Sequence, residues 1–432
     1  MTHDDDLMVA VFEPDRWALT ADPAQVAQVV TQVRSRRRKR LAIRAGSGAI
    51  AAGLVAAFTF VALNTDSIRP NPRSDRTFFQ PPRPTGPLPA LRVRHVGSVD
   101  ELVQLLPGTT ITELRLDLPE VNGLTPTGEL IAQNRSNELV LIDPESGHRT
   151  VLATLTKSDQ TGVMFPAADD RVIVWAEGLM TEVGGDAYES QGLVLRCVDR
   201  ATGAVHRIPF PERDSDGVPL PANPGDFGVE YSVDAGRIAL SVGRTGYPPH
   251  LSPADVSDVY VAARCGAPLE LMVGHASNAR LAGRSLYYVH DDYVWRRDLA
   301  SGRAVPLATP ARNLILLSDA LVWNPRLGPV TTDWPRELQV ARRDGAAASA
   351  VTLPDGWTLG LGPTTLAGQD WVVSWLDTDA TSFGLYFPSR GGAVQVDAEP
   401  GIRASAVTGR HLLLTEWAPS GPTGTAWLLT LP

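Results

Sequence analysis

SAVTGRHLLLTEWAPSGPTGTAWLLTLP, residues 405–432, holds a short strand, a Gly-Arg turn, an apolar strand and a third strand, TAWLLTLP, with no fourth. A stretch of the missing character lies far upstream. TTITELRLDL, residues 109–118, sets Ile111, Leu114, Leu116 and Leu118 among polar neighbours, close to the alternation of a half-buried strand. Joined to the last unit, it completes a four-stranded sheet from both ends of the β-rich region and covers two otherwise exposed edges. A closed ring is the architecture that needs such a join.

The unit completed in this way recurs. A turn followed by an apolar strand reads GELIAQ at 128, DRVIVW at 170, GRIALS at 236, GRSLYY at 283, SDALVW at 318, GQDWVV at 368 and GRHLLL at 409. The spacings of 42, 66, 47, 35, 50 and 41 residues centre on the period of propeller blades. After each of the first six comes a second pair of strands about a Gly, Asp or Ser turn, as in LVLIDPESGHRTVLA from Leu139 and YVWRRDLASGRAVPLA from Tyr293. With the short strand before each turn, every unit supplies four strands, A to D, rich in the β-branched and aromatic residues that suit pleated surfaces. The expectation is an all-β, seven-bladed β-propeller, with six or eight blades left open by the 66-residue gap. Paired β-sandwiches also use many short strands, but a regular unit with a split last blade fits them worse. Ahead of the closing strand, Ser98-Val99-Asp100-Glu101 reads as a capping box opening a short helix through Leu106. The Gly-Arg units resemble those of TolB-like and WD-repeat-like propellers over roughly residues 110–432, without a WD dipeptide or an Asp-box series.

Upstream the composition changes twice. Residues 64–90 hold seven prolines, at 70, 72, 81, 82, 84, 87 and 89, and read as a semi-rigid linker to a domain over 91–432. Before it, AGSGAIAAGLVAAFTFVAL, residues 45–63, is 19 residues without a charge, roughly 28 Å as a helix and close to the hydrocarbon thickness. Arg34, Arg36, Arg37, Arg38, Lys39, Arg40 and Arg44 precede it, whereas the 14 residues after it carry Arg69, Arg73 and Arg76. That bias places residues 1–44 in the cytoplasm and the β-rich domain outside, in a single-pass protein of the cell membrane. A cleaved signal peptide would also export the domain, but its leader is expected to be shorter and closed by a small-x-small site. Ala49, Gly53 and Ala57 form a small-residue stripe suited to a weak transmembrane dimer.

In the tail, Asp22-Pro23 reads as a helix start, and Val26, Val29, Val30 and Val33 recur at helical spacing. The basic end of that helix would sit on anionic lipid. Lys39 and Lys157 are the only lysines, a usage expected of GC-rich coding as in actinobacteria. The layout resembles actinobacterial membrane proteins encoded beside extracytoplasmic-function sigma factors, anti-sigma factors among them, although their zinc-type His/Cys cluster is absent. This resemblance implies an alternative role, a signalling protein whose tail regulates a transcription factor.

The net charge of −9 divides into +2 over residues 1–44, from eight Lys/Arg and six Asp/Glu, and −11 over the rest, from 31 and 42. An acidic outer domain repels phosphate backbones and argues against nucleic acid as its partner. Long segments fall in B–C and D–A connections, at 178–191, 211–228, 243–257 and 324–336, which emerge on one face of the disc. Loops on a rigid scaffold are where binding resides. The candidate binding face is Glu182, Asp186, Tyr188, Asp214, Asp216, Asp226, Phe227, Tyr247 and Trp334, with Arg213 and Arg244 as counter-charges. Its partner would be a basic protein or a cell-envelope component; the plainer reading is solvated polar loops.

The histidines of the outer domain form no catalytic or metal-ligand pattern, and no cofactor is expected. The chain reads as no enzyme, with a propeller hydrolase or lyase the remotest reading. Cys197 and Cys265 fall on or just beyond the C strands of blades two and three, either bridged in an oxidising compartment or standing as two thiols. Trp175, Trp295, Trp323, Trp371, Trp375 and Trp417 recur on or beside B and C strands, as inter-blade packing does.

Overall fold

The computed structural model describes residues 91–432 apart from 116–119, 158–159, 185–186, 221–228, 245–256, 309–310, 325–336, 346–348, 355–356, 360–367, 369, 377–381, 389–391, 398–401 and 419–420. The expected tail, span and linker, residues 1–90, lie outside the described residues. Among the described residues, no helix is long and apolar enough to cross a membrane.

Seven sheets, each built on four antiparallel strands and one with a fifth strand added, follow one another along the chain. Blade one is Glu120–Leu124, Leu130–Gln133, Glu138–Ile142 and Arg149–Thr154. Blade two is Gln160–Ala168, Val172–Gly184, Ala187–Asp199 and Val205–Ile208, and blade three is Val229–Asp234, Arg237–Gly243, Ser257–Ala262 and Glu270–Val273. Blade four is Ala276–Ala282, Ser285–His290, Tyr293–Asp298 and Ala304–Ala308, and blade five is Arg312–Leu316, Ala320–Asn324, Glu337–Arg342 and Ser349–Thr352. Blade six is Trp357–Leu359, Val372–Leu376, Ser382–Phe387 and Gly392–Val396. Blade seven takes Ile402–Thr408, His411–Ala418 and Gly421–Thr430 from the end of the chain and Thr110–Arg115 from upstream of blade one.

That last pairing closes the ring as the sequence leads one to expect. Thr110 lies opposite Thr430 and Arg115 opposite Thr425, antiparallel and without a slip. The A strands of blades seven and one pack side by side, so the array is circular and has seven blades.

The Gly-Arg motif is a hairpin device. Asp234 pairs with Arg237 across Ala235 and Gly236, whose φ values of +53° and +81° belong to the two-residue turn that matches strand twist. The turn also ties the blades together. Asp169 accepts from the Gly236 N–H at 2.6 Å, and Asp234 accepts from the Gly283 N–H at 2.5 Å, each carboxylate reaching the next blade's turn.

Apolar side chains fill each of the seven junctions between neighbouring blades. Trp175 packs with Ile131 and Leu139 between blades one and two, Trp323 with Tyr287 and Leu314 between four and five, and Trp371 with Leu412 between six and seven. Trp295 packs partly buried between blades three and four. The tryptophans described here are thus packing residues, and each such burial stabilises by about 3 kcal/mol. The side chains of Trp375 and Trp417 lie outside the described residues.

Two features depart from expectation. Arg92–Val96 adds a fifth strand to blade six, parallel to Gly392–Val396. It leads into the expected helix, Val99–Leu105, whose N-cap Ser98 accepts from the Glu101 N–H at 3.2 Å while Glu101 accepts from the Gly97 N–H at 2.7 Å. Leu102 and Leu106 of this segment sit in the junction between blades six and seven. The other departure is residues 178–191, expected as a loop. Residues 178–184 and 187–191 extend the B and C strands of blade two, with Glu182 paired to Tyr188. Thr181, Val183 and Tyr188 are good strand formers, and they outweigh the glycines at 184–185.

Candidate functional site

The face carrying the B–C and D–A connections gathers a polar cluster at blade three. It begins with the turn Asp214-Ser215-Asp216-Gly217, in the connection from blade two. Asp214 accepts from the backbone N–H groups of Asp216 at 2.9 Å and Val218 at 2.8 Å, the local bonding that lets Asp fold a tight turn. Arg213 braces the turn by donating to the Gly217 carbonyl at 2.7 Å.

Arg244, one residue past blade three's B strand, enters this turn from the side. Its side chain is 4% exposed, and its Nε lies 3.2 Å from Asp214 and 4.0 Å from Asp258. A terminal nitrogen donates to Asp216. Burial works against the guanidinium charge, but Asp216, Asp214 and Asp258 outweigh it and hold its pKa above the usual value.

Asp258, at the start of blade three's C strand, accepts from the Ser215 N–H at 2.6 Å, the Ser215 hydroxyl at 2.8 Å and the His275 N–H at 2.8 Å. The C strand is thereby laced to the connections on both sides of its blade. Gly274 is the point of closest approach, since a Cβ there would meet Ser215 Oγ at 2.7 Å. His275 follows with φ at +55°, and its ring meets an Arg244 nitrogen at 2.8 Å through Nδ1 and Asp216 at 3.2 Å through Nε2. Asp216 and His275 are about half exposed and form the outer rim over the buried Arg244, Asp214 and Asp258. The Arg244 bond, then the His275 bond, hold the Asp216 carboxyl below the usual carboxylate range. Burial, then Asp258 and Asp214, push the neighbouring Tyr260 phenol up to about 12.

Of the residues named from sequence, Asp214 and Asp216 thus come together, at Nε and a terminal nitrogen of the Arg244 guanidinium. Glu182 and Tyr188 lie apart, on the hairpin extension of blade two. Asp186, Asp226, Phe227, Tyr247 and Trp334 lie outside the described residues. Ser215, Asp258 and His275 were not anticipated, although the Asp-Ser-Asp-Gly turn and the Gly274-His275 step were visible signals. Another buried carboxylate, Glu177, accepts from Trp175 Nε1, Arg196 and the Thr156 N–H, and serves to join blades one and two. Among the described residues, no group of three or more His, Cys, Asp or Glu is arranged to hold a metal ion. Cys197 and Cys265 form a disulfide between blades two and three, with Cα atoms 5.8 Å apart, near the C–D turns.

No family model and no curated protein matches the chain. Similar solved structures include TolB from Acinetobacter baumannii, 12% identical, with a TM-score of 0.34 over 77% of this chain and 66% of that one. The β-propeller domain of Myceliophteria thermophila Cps50 (Swd1) is 10% identical, with a TM-score of 0.44 over 75% of this chain and all of that one. An oligogalacturonate lyase in complex with manganese is 11% identical, with a TM-score of 0.44 over 74% of this chain and 91% of that one. The reading of the chain as no enzyme is corrected here. Lyases at 11 and 12% identity stand among the similar propellers, so a missing sequence motif excludes nothing, while likeness of this degree establishes no activity.

Proposed function

We propose that the chain is a membrane-anchored, extracytoplasmic propeller that docks a basic protein or an envelope component on its long-connection face. The asymmetry between the two faces carries this reading. The A–B turns are taken up in tying blade to blade, as the Asp169–Gly236 and Asp234–Gly283 bonds illustrate. The opposite face carries the long connections and a rigid polar cluster with an exposed acidic rim. Rigid, partly exposed charge on a scaffold suits recognition of an opposite charge. The anchor is supported by the uncharged run at 45–63 and the seven cations before it. Export is supported by the Cys197–Cys265 bridge, a bond rare in reducing cytosol.

The test uses the full chain in lipid vesicles. Binding of purified envelope proteins and wall fragments is compared between wild type and the double variant Glu212→Arg, Asp216→Arg, Glu212 being an exposed residue two positions before Asp214. A partner of this face should lose about tenfold or more in affinity, as reversed rim charges repel it. Equal binding by the two chains would remove the docking face.

A further inference from the structure

We infer that the outer edge of blade two's extended C strand, over Ala187–Gln191, takes a strand from an extended, basic segment of a protein partner. The inference rests on the docking reading, whose partner class it makes specific. In a four-stranded blade the D strand covers this edge. Blades one and three to six follow that rule, with D covering C to within two residues of its start. Blade two does not. Its C strand starts at Ala187, yet Val205–Ile208 pairs with it only from Leu195 to Val198. Pro209 and Pro211 follow, and proline has no N–H to give a ladder, so the D strand ends there. Among the described residues, no strand lies along the outer side of Ala187–Gln191.

The A strand of this blade stops short as well. Gln160–Ala168 pairs with the B strand as far as Met180, so Thr181–Gly184 and Ala187–Glu189 continue as a two-stranded ribbon. Such a ribbon is marginal by itself in water, and a third strand adds main-chain bonds where it has fewest. Proteins blunt bare edges with lysine or proline. Neither occurs from Gly178 to Val194. Blade seven's hairpin also outruns its D strand, over Gly421–Gly424, but Pro422 interrupts that edge.

Two observations choose the occupant. The first is charge. Gly178–Val194 holds Glu182, Asp186 and Glu189 and no lysine, arginine or histidine, so a basic strand brings its cations to an acidic ribbon. A second copy of the ribbon would set acid against acid. The second observation is the chain's own use of an outer edge. Blade six has its four strands, and Arg92–Val96, RVRHV, still adds in parallel to its D strand. That segment is extended and basic, and its His95 Nδ1 lies 3.2 Å from Asp397 of the receiving blade. Its backbone carries the pairing onward, the Asp397 N–H donating to the Val96 carbonyl at 2.9 Å. The same chemistry at blade two gives main-chain pairing for affinity and opposite charge for selection.

The probe is a short capped peptide alternating valine with lysine and arginine, added to the full chain in phosphatidylcholine vesicles, whose lipid has no net charge to hold it. Hydrogen exchange should slow about tenfold at the amides of 187–191 and stay unchanged over the outer strands Arg149–Thr154 and Glu270–Val273. N-methylating alternate residues of the peptide keeps every charge and removes the donors of one edge. Fluorescence anisotropy should then show about tenfold weaker binding. The double variant Glu182→Lys, Glu189→Lys should weaken the unmodified peptide by about the same factor. No binding, equal binding of the N-methylated peptide, protection at another outer strand, or full binding by the folded double variant overturns the inference. Exchange over 130–142 in blade one reports whether that variant is folded; should it unfold, the N-methylated peptide on wild type decides. The Glu212→Arg, Asp216→Arg chain keeps this edge, so the two failures are distinct. A peptide that fails here leaves the docking assay standing, and a rim that fails there leaves the edge to the peptide.

Discussion

A guanidinium as enclosed as that of Arg244 costs several kcal/mol to strip of water, and only well-placed carboxylates recover that cost. Asp214 and Asp258 are equally enclosed, at 3% and 1% side-chain exposure, so each member of the trio is tolerable because the others are present. Arg244→Met keeps much of the volume and strands both carboxylates, and urea unfolding should show a loss of about 3–5 kcal/mol. A loss below about 1 kcal/mol would mean that the buried pairs carry no stability. Asp216 differs because it sits at the rim. Its carboxyl is held below the usual range, first by Arg244 and then by His275. The stability from its pairing is therefore present above the unfolded carboxylate range and fades as pH falls through the lower folded value. Asp216→Asn should therefore lower stability near pH 7 while leaving it unchanged below the folded carboxylate value, so that urea unfolding across pH shows a flatter acid limb.

Ring closure depends on a strand with two unlike faces. Leu114 of Thr110–Arg115 is buried in the junction between blades seven and one, while Ile111 of the same strand is 38% exposed. Leu114→Ala should cost about 2–5 kcal/mol in urea unfolding, and Ile111→Ala less than about 0.5. Equal effects would mean that the strand does not seal the ring. The same two-faced pattern made this strand readable from sequence, because partial burial leaves a period of two. Arg92–Val96 was not readable. It joins its sheet in parallel, with no hairpin turn to announce it, and its five residues RVRHV are mostly exposed. The stretch 178–191 was misread as one of the long connections, although antiparallel pairing with two register shifts carries the strands on to Gly184 and Ala187. For the cluster, acidic loop composition pointed to Asp214 and Asp216. Asp258 and His275 come from later parts of the chain, and it is the folding of blade three between its two flanking connections that brings them alongside.

Over the molecule as a whole, each blade depends on its neighbours, so a bond across one junction stiffens the array. The Cys197–Cys265 bridge spans 68 residues and crosses from blade two to blade three, the cluster's own blade. Constraint of the unfolded chain by such a loop stabilises by about 2–4 kcal/mol. Replacing both cysteines by serine should lower the unfolding free energy by that amount. The bond also tests topology, because among the described residues there is no free cysteine and the chain holds two in all. A propeller outside the cytoplasm should reach the membrane oxidised. Denatured membranes from cells quenched with acid should then give no maleimide-polyethylene glycol adduct before reduction and two after it. Adducts without reductant would place the domain in a reducing compartment, and the basic run before residue 45 would need another explanation.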